Sequence, residues 1–187
     1  MAEIPDPTNM LTGKDRELFD HMASVRAHAE GRSHLGDVYV RMFNNPGVAE
    51  KVGALVEHLR FHGSLPDDLR ELVILRFAAK QRFQYEWSHH QHPAKLAGIS
   101  PEVMDALLTA GEAPKMLPDA SQAAIEAVDA IISKKSIPAD VQQRFVLAYG
   151  VSGLVEIVAI CGLYTIMGYM TTAFDIQIEE GLPKAPF

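Results

Sequence analysis

"LPDDLRELVILRFAAKQRFQYEWSHHQHPAKLAGIS", residues 65–100, reads as two helices followed by a stop. Pro66 occupies a first-turn position, where its missing N–H costs nothing. The apolar residues after it recur with a helical rather than an alternating period, which predicts helices over Pro66 to Lys80 and Gln84 to Ala97. Gly98 stands where the second helix should end, and Ser100 is placed to cap the next one, which Pro101 begins. Inside the second helix Pro93 lacks an N–H and crowds the carbonyl of His89. That costs roughly 3 kcal/mol in a helix interior, so a bend or restart is expected there, opening backbone polar groups beside the imidazoles.

The same period runs outward in both directions. Further helices are expected over Lys14 to Glu30, Ser33 to Phe43, Val48 to His62, Pro101 to Ala110, Asp119 to Lys134, Pro138 to Tyr149 and Gly153 to Phe174, and strand-like alternation is nearly absent. The fold is therefore expected to be all-α. "LPDDLRELVIL" from Leu65 echoes "IPADVQQRFVL" from Ile137, and each leads into an apolar helix carrying a glutamate, Glu86 in the first and Glu156 in the second. This suggests an internal pseudo-repeat of helical hairpins. Residues 1–64 read as a helical extension packed on a core of residues 65–187, with no low-complexity linker between them.

Composition narrows the function classes. The chain has 187 residues, 48% hydrophobic and 22% charged, enough for one folded domain and too ordinary for a disordered or fibrous one. A net charge of -7 with no basic stripe argues against nucleic acid as a partner. A single cysteine, Cys161, excludes an internal disulfide framework and agrees with a reducing compartment. The start, "MAEIPDPTNM", does not read as a secretory signal, so a cytoplasmic location is expected. "IVAICGLYTIMGYMTTAF", residues 157–174, is uncharged and long enough to raise a membrane span. Glu156 at its edge, three threonines and the lack of a positive flank favour a central bundle helix or a subunit interface instead.

The residues able to do chemistry gather around His90. Glu86 and His90 are four apart and share a helix face, with His89 beside it; Trp87 points elsewhere and can anchor the helix. Such pairs are common on solvent-facing helices, but three histidines next to a tryptophan and a proline mark this one as a candidate site. A metal centre is the chemical rival: His58 and His62 are four apart, His89 and His92 three apart, and with a carboxylate they could supply ligands. His62, directly before Gly63, is equally explained as a helix-end cation.

The stretch from Leu65 to Ser100 resembles the core of the carboxymuconolactone decarboxylase family, whose all-helical fold is shared with alkylhydroperoxidase D. "LVEIVAICGLYTIMGYMTTAF" looks like its second hallmark helix, and the resemblance spans roughly Leu65 to Pro183. In the redox branch of that family a glutamate precedes a histidine by nineteen positions, and a Cys-x-x-Cys pair precedes it by seven and four. The glutamate matches Glu71 and the histidine His90; Phe83 and Glu86 occupy the cysteine positions. No thiol remains there, and Cys161 in an apolar helix offers neither a low pKa nor a neighbour, which speaks against dithiol peroxidase chemistry.

The resemblance implies a proton relay, with His90 as general acid or base, Glu71 orienting it and Glu86 as second carboxylate, the two carboxylates raising the histidine pKa. Tyr85, Trp87, His89 and Phe83 are expected to shape the substrate pocket. For Glu156 the plainer reading is a charge favoured by a helix N-terminus. Arg70, Arg76 and Arg82 could grip an anion, or lie on the surface. Decarboxylases of the family act without a cofactor on an unsaturated lactone, so the expectation is a cofactor-free lyase or isomerase for a small carboxylated or lactone metabolite. The alternatives are a peroxiredoxin-like antioxidant protein, a histidine-based metal enzyme, and a non-catalytic ligand-binding or assembly protein. The resemblance also implies a homo-oligomer, a trimer or a hexamer.

Overall fold

The computed structural model describes residues 4–30, 34–109, 111 and 113–187, with only the backbone for 27–30. Eight α-helices form among them: α1 (Gly13–Glu30), α2 (Asp37–Met42), α3 (Pro46–Glu57), α4 (Asp67–Gln81), α5 (Gln84–Leu96), α6 (Pro101–Leu108), α7 (Asp119–Ile132) and α8 (Ala139–Ala173), and no strand is present among the described residues. The all-α expectation holds. The expected ends at Ser33 and Ala110 lie outside the described residues.

The central element is α4. Every side chain from Leu69 to Ala78 is buried, so it is covered on all sides. Leu69, Val73, Ile74 and Phe77 join a cluster with α1, α2, α3, α7 and α8, so the first 64 residues and the rest share one core. Leu72, Leu75 and Ala78 face a second cluster that holds Trp87, Met104, Leu107 and Ile125. A helix buried all round that carries Glu71 and Arg76 must pair both charges. Arg76, wholly buried, does so through Asp129, at 2.9 and 2.7 Å, and through the carbonyls of Leu107, Thr109 and Gly111 at 2.8–2.9 Å. It is thus a structural tie, neither a surface residue nor a substrate clamp.

Arg82 ends α4 in the left-handed region at φ 57°, its N–H and that of Phe83 closing on Ala79 and Ala78 as in helix-terminating motifs, and α5 starts two residues later. Helix α5 runs through Pro93 to Leu96 without interruption, so the expected restart is absent; the helix absorbs the missing N–H near its C-terminal end. After Glu57 the chain widens into a π-turn, His58–His62, where a uniform α-helix to His62 was expected; Leu59 and Arg60 are buried within it.

The two helices expected over 138–174 meet end to end in α8, kinked at a single residue, Gly150, whose φ of 70° with ψ of 174° is open only to glycine. Glu156 is a clasp rather than a site residue. Its carboxylate accepts from Ser64 N at 2.8 Å, Ser64 Oγ at 2.7 Å and Leu65 N at 3.2 Å, fixing the turn into α4. Burial pushes the pKa of Glu156 up, but these donors outweigh it and hold it below the ordinary value. By length and composition α8 could cross a membrane, although a third of its most apolar window is buried inside the protein. On its other side Leu147, Val151, Val155, Val158, Ile166 and Tyr169 are exposed by 42–82% and recur largely three or four apart.

Candidate functional site

Helix α5 turns about 100° per residue, so Tyr85, His89, Glu86 and His90 fall within an arc of roughly 140°. All four line a cavity of ≈ 40 Å³, together with Arg26 from α1, Arg60 from the π-turn and Tyr164 from α8. Trp87 lies beyond that arc. It is buried in the second cluster, its ring edge-on to Phe187 at 5.8 Å, and takes no part in the cavity wall. Phe83 packs against Phe77, Tyr169 and Gly168, where a Cβ would overlap its ring, and it also misses the cavity. The expectation that both shape the pocket is corrected: successive turns carry them to other partners.

His90 is 6% exposed and both of its ring nitrogens are engaged. Nδ1 lies 2.6 Å from Glu71 Oε2, and Nε2 lies 2.9 Å from the Tyr164 hydroxyl. Glu71 is held ionised: burial alone would raise its pKa, but His90, then Arg60 and Arg70, each 3.7 Å from Oε1, outweigh burial and lower it. An anionic Glu71 requires the hydrogen on Nδ1. The neutral ring then accepts the Tyr164 hydrogen at Nε2, and the protonated ring donates from Nε2 to the phenol oxygen. Arg70 also bonds Asp67 at 2.9 Å; it supports Glu71 and does not line this cavity.

Glu86 stands differently from expectation. The carboxylate that grips the imidazole is Glu71, while Glu86 Oε1 accepts from Thr171 at 3.4 Å and Oε2 has no hydrogen-bond partner. Burial pushes its pKa up to about 7. The cavity thus holds an imidazole tied to a carboxylate kept anionic by its neighbours and a carboxyl that titrates near neutrality. Such a divergence between two acids is the usual signature of acid–base work.

One wall is braced from the C-terminal tail. Glu179 accepts from the Tyr85 hydroxyl at 2.8 Å and from Asp37 N at 3.1 Å, and its other oxygen lies 2.6 Å from His89 Nε2. Burial opposes its charge, but His89, Asp37 and Tyr85 prevail and lower its pKa to about 2. Tyr85 and His89 stack with centroids 4.1 Å apart. Burial, then Glu179, raises the Tyr85 pKa, so the phenol stays a donor. Glu179, Tyr164, Arg60 and Arg26 were not foreseen. Each comes from a segment remote in sequence, and only the hallmark likeness of α8 hinted at Tyr164.

The four histidines considered for a metal do not converge. His58 and His62 border a separate cavity with His21 and Glu57, His92 borders another with Pro93 and Arg70, and His89 is tied to Glu179. Among the described residues no three His, Cys, Asp or Glu side chains are arranged to hold an ion. Cys161 is buried in α8, where burial pushes its thiol up to about 12, and it is absent from the cavity wall. Arg82 is exposed, 5.7 Å from the Phe187 ring.

No curated protein matches the chain in sequence. Among solved structures it resembles the debrominase Bmp8, both free and as a variant in complex with 2,3,4-tribromopyrrole. That likeness has a TM-score of 0.73 at 19% identity, over 91% of this chain and 90% of that one. It also resembles ATU0492 of Agrobacterium tumefaciens, a protein of unknown function with an AhpD designation. Here the TM-score is 0.63 at 18% identity, covering 74% of this chain and 94% of that one. Residues 46–130, from α3 through most of α7 and including Glu71 and His90, match the family model for carboxymuconolactone decarboxylases. The chain therefore shares the AhpD-like helical fold and carries a segment that matches the carboxymuconolactone decarboxylase family model, with Phe83 and Glu86 where the resemblance to the redox branch would put its cysteines.

Proposed function

We propose that the protein is a cofactor-free lyase or isomerase that moves a proton on a small unsaturated lactone or carboxylated metabolite. The observation that carries this reading is the buried imidazole of His90, held between the Glu71 carboxylate and the Tyr164 phenol at the edge of a small cavity. In a decarboxylation the carbon–carboxylate bond breaks and its electron pair enters a dienolate conjugated with the lactone carbonyl. Carbon dioxide leaves, and one proton must then reach carbon. His90 supplies that proton from Nε2, directly or through the Tyr164 hydroxyl, and the Glu71 anion stabilises the imidazolium that stores it. No electron acceptor is needed. The debrominase of similar fold takes a five-membered ring as ligand, which fits the compactness of the cavity.

Peroxide reduction finds no support, because the cavity holds no thiol and Cys161 is buried with a raised pKa. The test is a panel of unsaturated lactones and of peroxides offered to the parent protein and to Cys161→Ser. Lactone turnover, followed by carbon dioxide release or solvent deuterium incorporation, is expected in both at equal rates, with peroxide untouched. Thiol-dependent peroxide consumption, or no reaction with any lactone or carboxylate offered, refutes the proposal.

The exposed apolar residues along α8 support self-association, for which we propose a trimer or hexamer, because such a face calls for a partner. In detergent-free buffer the parent should sediment as one of these species, and Val155→Asp should fall to a smaller one with its helicity intact. A monomeric parent, or one soluble only in detergent, is the contrary result.

A further inference from the structure

Arg26 is a buried cation with one edge left over. It lies on α1, outside the segment that matches the family, is 3% exposed, and lines the same cavity as His90. Its Nη1 donates to the Met22 carbonyl at 3.1 Å, and its Cζ sits 4.1 Å from the centroid of the Tyr39 ring. These two contacts fix the plane and the rotation of the guanidinium. The remaining donors, Nε and Nη2, are buried without any hydrogen-bond partner, and among the described residues no carboxylate pairs with the group.

That pair of atoms has a meaning. Nε–H and one Nη2–H point the same way from a planar guanidinium and form the side-on fork that receives the two oxygens of a carboxylate through parallel hydrogen bonds. A desolvated cation with that fork vacant is a large unmet cost in a folded protein unless something arrives to meet it. The rest of the wall adds guanidinium and imidazole nitrogens. Arg60, His34, His89 and His90 stand around the cavity; among the described lining residues Glu86 is the one carboxyl, while Glu71 and Glu179 stand behind the histidines and are tied to them.

We infer that the Nε–Nη2 edge of Arg26 is a carboxylate subsite, which binds the carboxylate of the ligand side-on and so makes α1 a determinant of specificity. The inference rests on the proposed reading of this cavity as the reaction pocket, and adds which functional group the ligand must carry and what holds it. Arg60 contributes charge from the same cavity while also facing Glu71 at 3.7 Å, so it links the bound anion to the proton relay.

The probes are furan-2-carboxylate and its uncharged counterpart furan-2-carboxamide, titrated calorimetrically into the parent, Arg26→Met, Arg26→Lys and the exposed-site control Arg82→Met. The parent and the control should prefer the acid over the amide by about tenfold or more, as two charge-assisted bonds imply. Arg26→Met, an apolar replacement of similar length, should lose that preference while its amide affinity stays within about twofold. Arg26→Lys, a point charge without the fork, should keep part of the preference; if the methionine variant does not fold, a fall of about threefold or more in this one is the deciding result. Equal binding of acid and amide by the parent, no binding of the acid, or full preference retained without the guanidinium overturns the subsite. His90→Gln separates the two readings: it should keep the acid preference, so a carboxylate subsite without any turnover would fail the catalytic proposal alone. Turnover indifferent to Arg26 would fail the subsite alone.

Discussion

His90→Gln should lower kcat/KM on the responsive lactone by about 10²–10⁴, the range by which a positioned acid or base accelerates proton transfer. Glutamine fills much of the ring's volume and can still accept a hydrogen bond, but it cannot store a proton, so the loss isolates the chemistry from the packing. Glu71→Gln should cost less, about 10–100-fold, because the amide oxygen can still receive Nδ1–H and keep the tautomer while the charge that stabilises the imidazolium is gone. Its cost appears in stability as well, since Arg60 and Arg70 each lose the anion that lies 3.7 Å away. Thermal melts beside steady-state kinetics separate the two effects. Tyr164→Phe removes the hydroxyl that lies 2.9 Å from Nε2, and a fall in kcat with KM unchanged would place the phenol on the proton's route. Unaltered rates in His90→Gln would sink the relay.

The part of this site that sequence could reveal is the part with a fixed spacing. Glu71 and His90 are nineteen apart on consecutive helices, and the α4–α5 hairpin brings them to 2.6 Å because Arg82 turns the chain through a tight left-handed cap. Helical period alone also placed His89, Glu86 and His90 together. It could not say which carboxylate grips the ring. Both Glu71 and Glu86 are within reach of a histidine by spacing, and the choice follows from α4 being buried all round, where Arg60 and Arg70 stabilise an anion at 71 and nothing comparable does so at 86. Trp87 and Phe83 were assigned to the pocket by proximity in sequence, which on a helix is a poor guide to direction. Arg26, Arg60 and Glu179 are set by the packing of α1, the π-turn and the tail, contacts for which the sequence carries no period to read. Arg76 shows the same limit from the other side, since a charged residue in an apolar run reads as exposed until its partners on α6 and α7 are known.

Glu86→Gln should make the protein more stable at alkaline pH and less dependent on pH throughout. Burial raises the carboxyl of Glu86 from 4.5 to about 7, so between those values the folded chain holds a proton that the unfolded chain has released. More protons bound in the folded state means that stability falls as pH rises, from about 4.5 until the folded group itself ionises near 7. The gap of 2.5 between the two values, at 1.36 kcal/mol per pH unit, amounts to about 3 kcal/mol at pH 8. Glutamine is uncharged at every pH and keeps the shape, so the variant should gain most of that difference at pH 8 and almost none at pH 4. Glu71 works in the opposite sense: its lowered pKa gives stability that is present above the ordinary carboxylate range and lost on acidification. The two buried carboxyls therefore tilt the stability curve in opposite directions on either side of their titrations, and removing Glu86 should move the optimum toward higher pH. Urea denaturation of parent and variant at pH 4, 6 and 8 reads this directly, with the unfolding slope as a check that both expose the same surface. If Glu86 also lends its proton to the ligand, the same variant should flatten the limb of the activity profile near pH 7. A difference between parent and variant that does not grow with pH would mean that this carboxyl ionises as an exposed one does, and that the cavity is wetter than its lining implies.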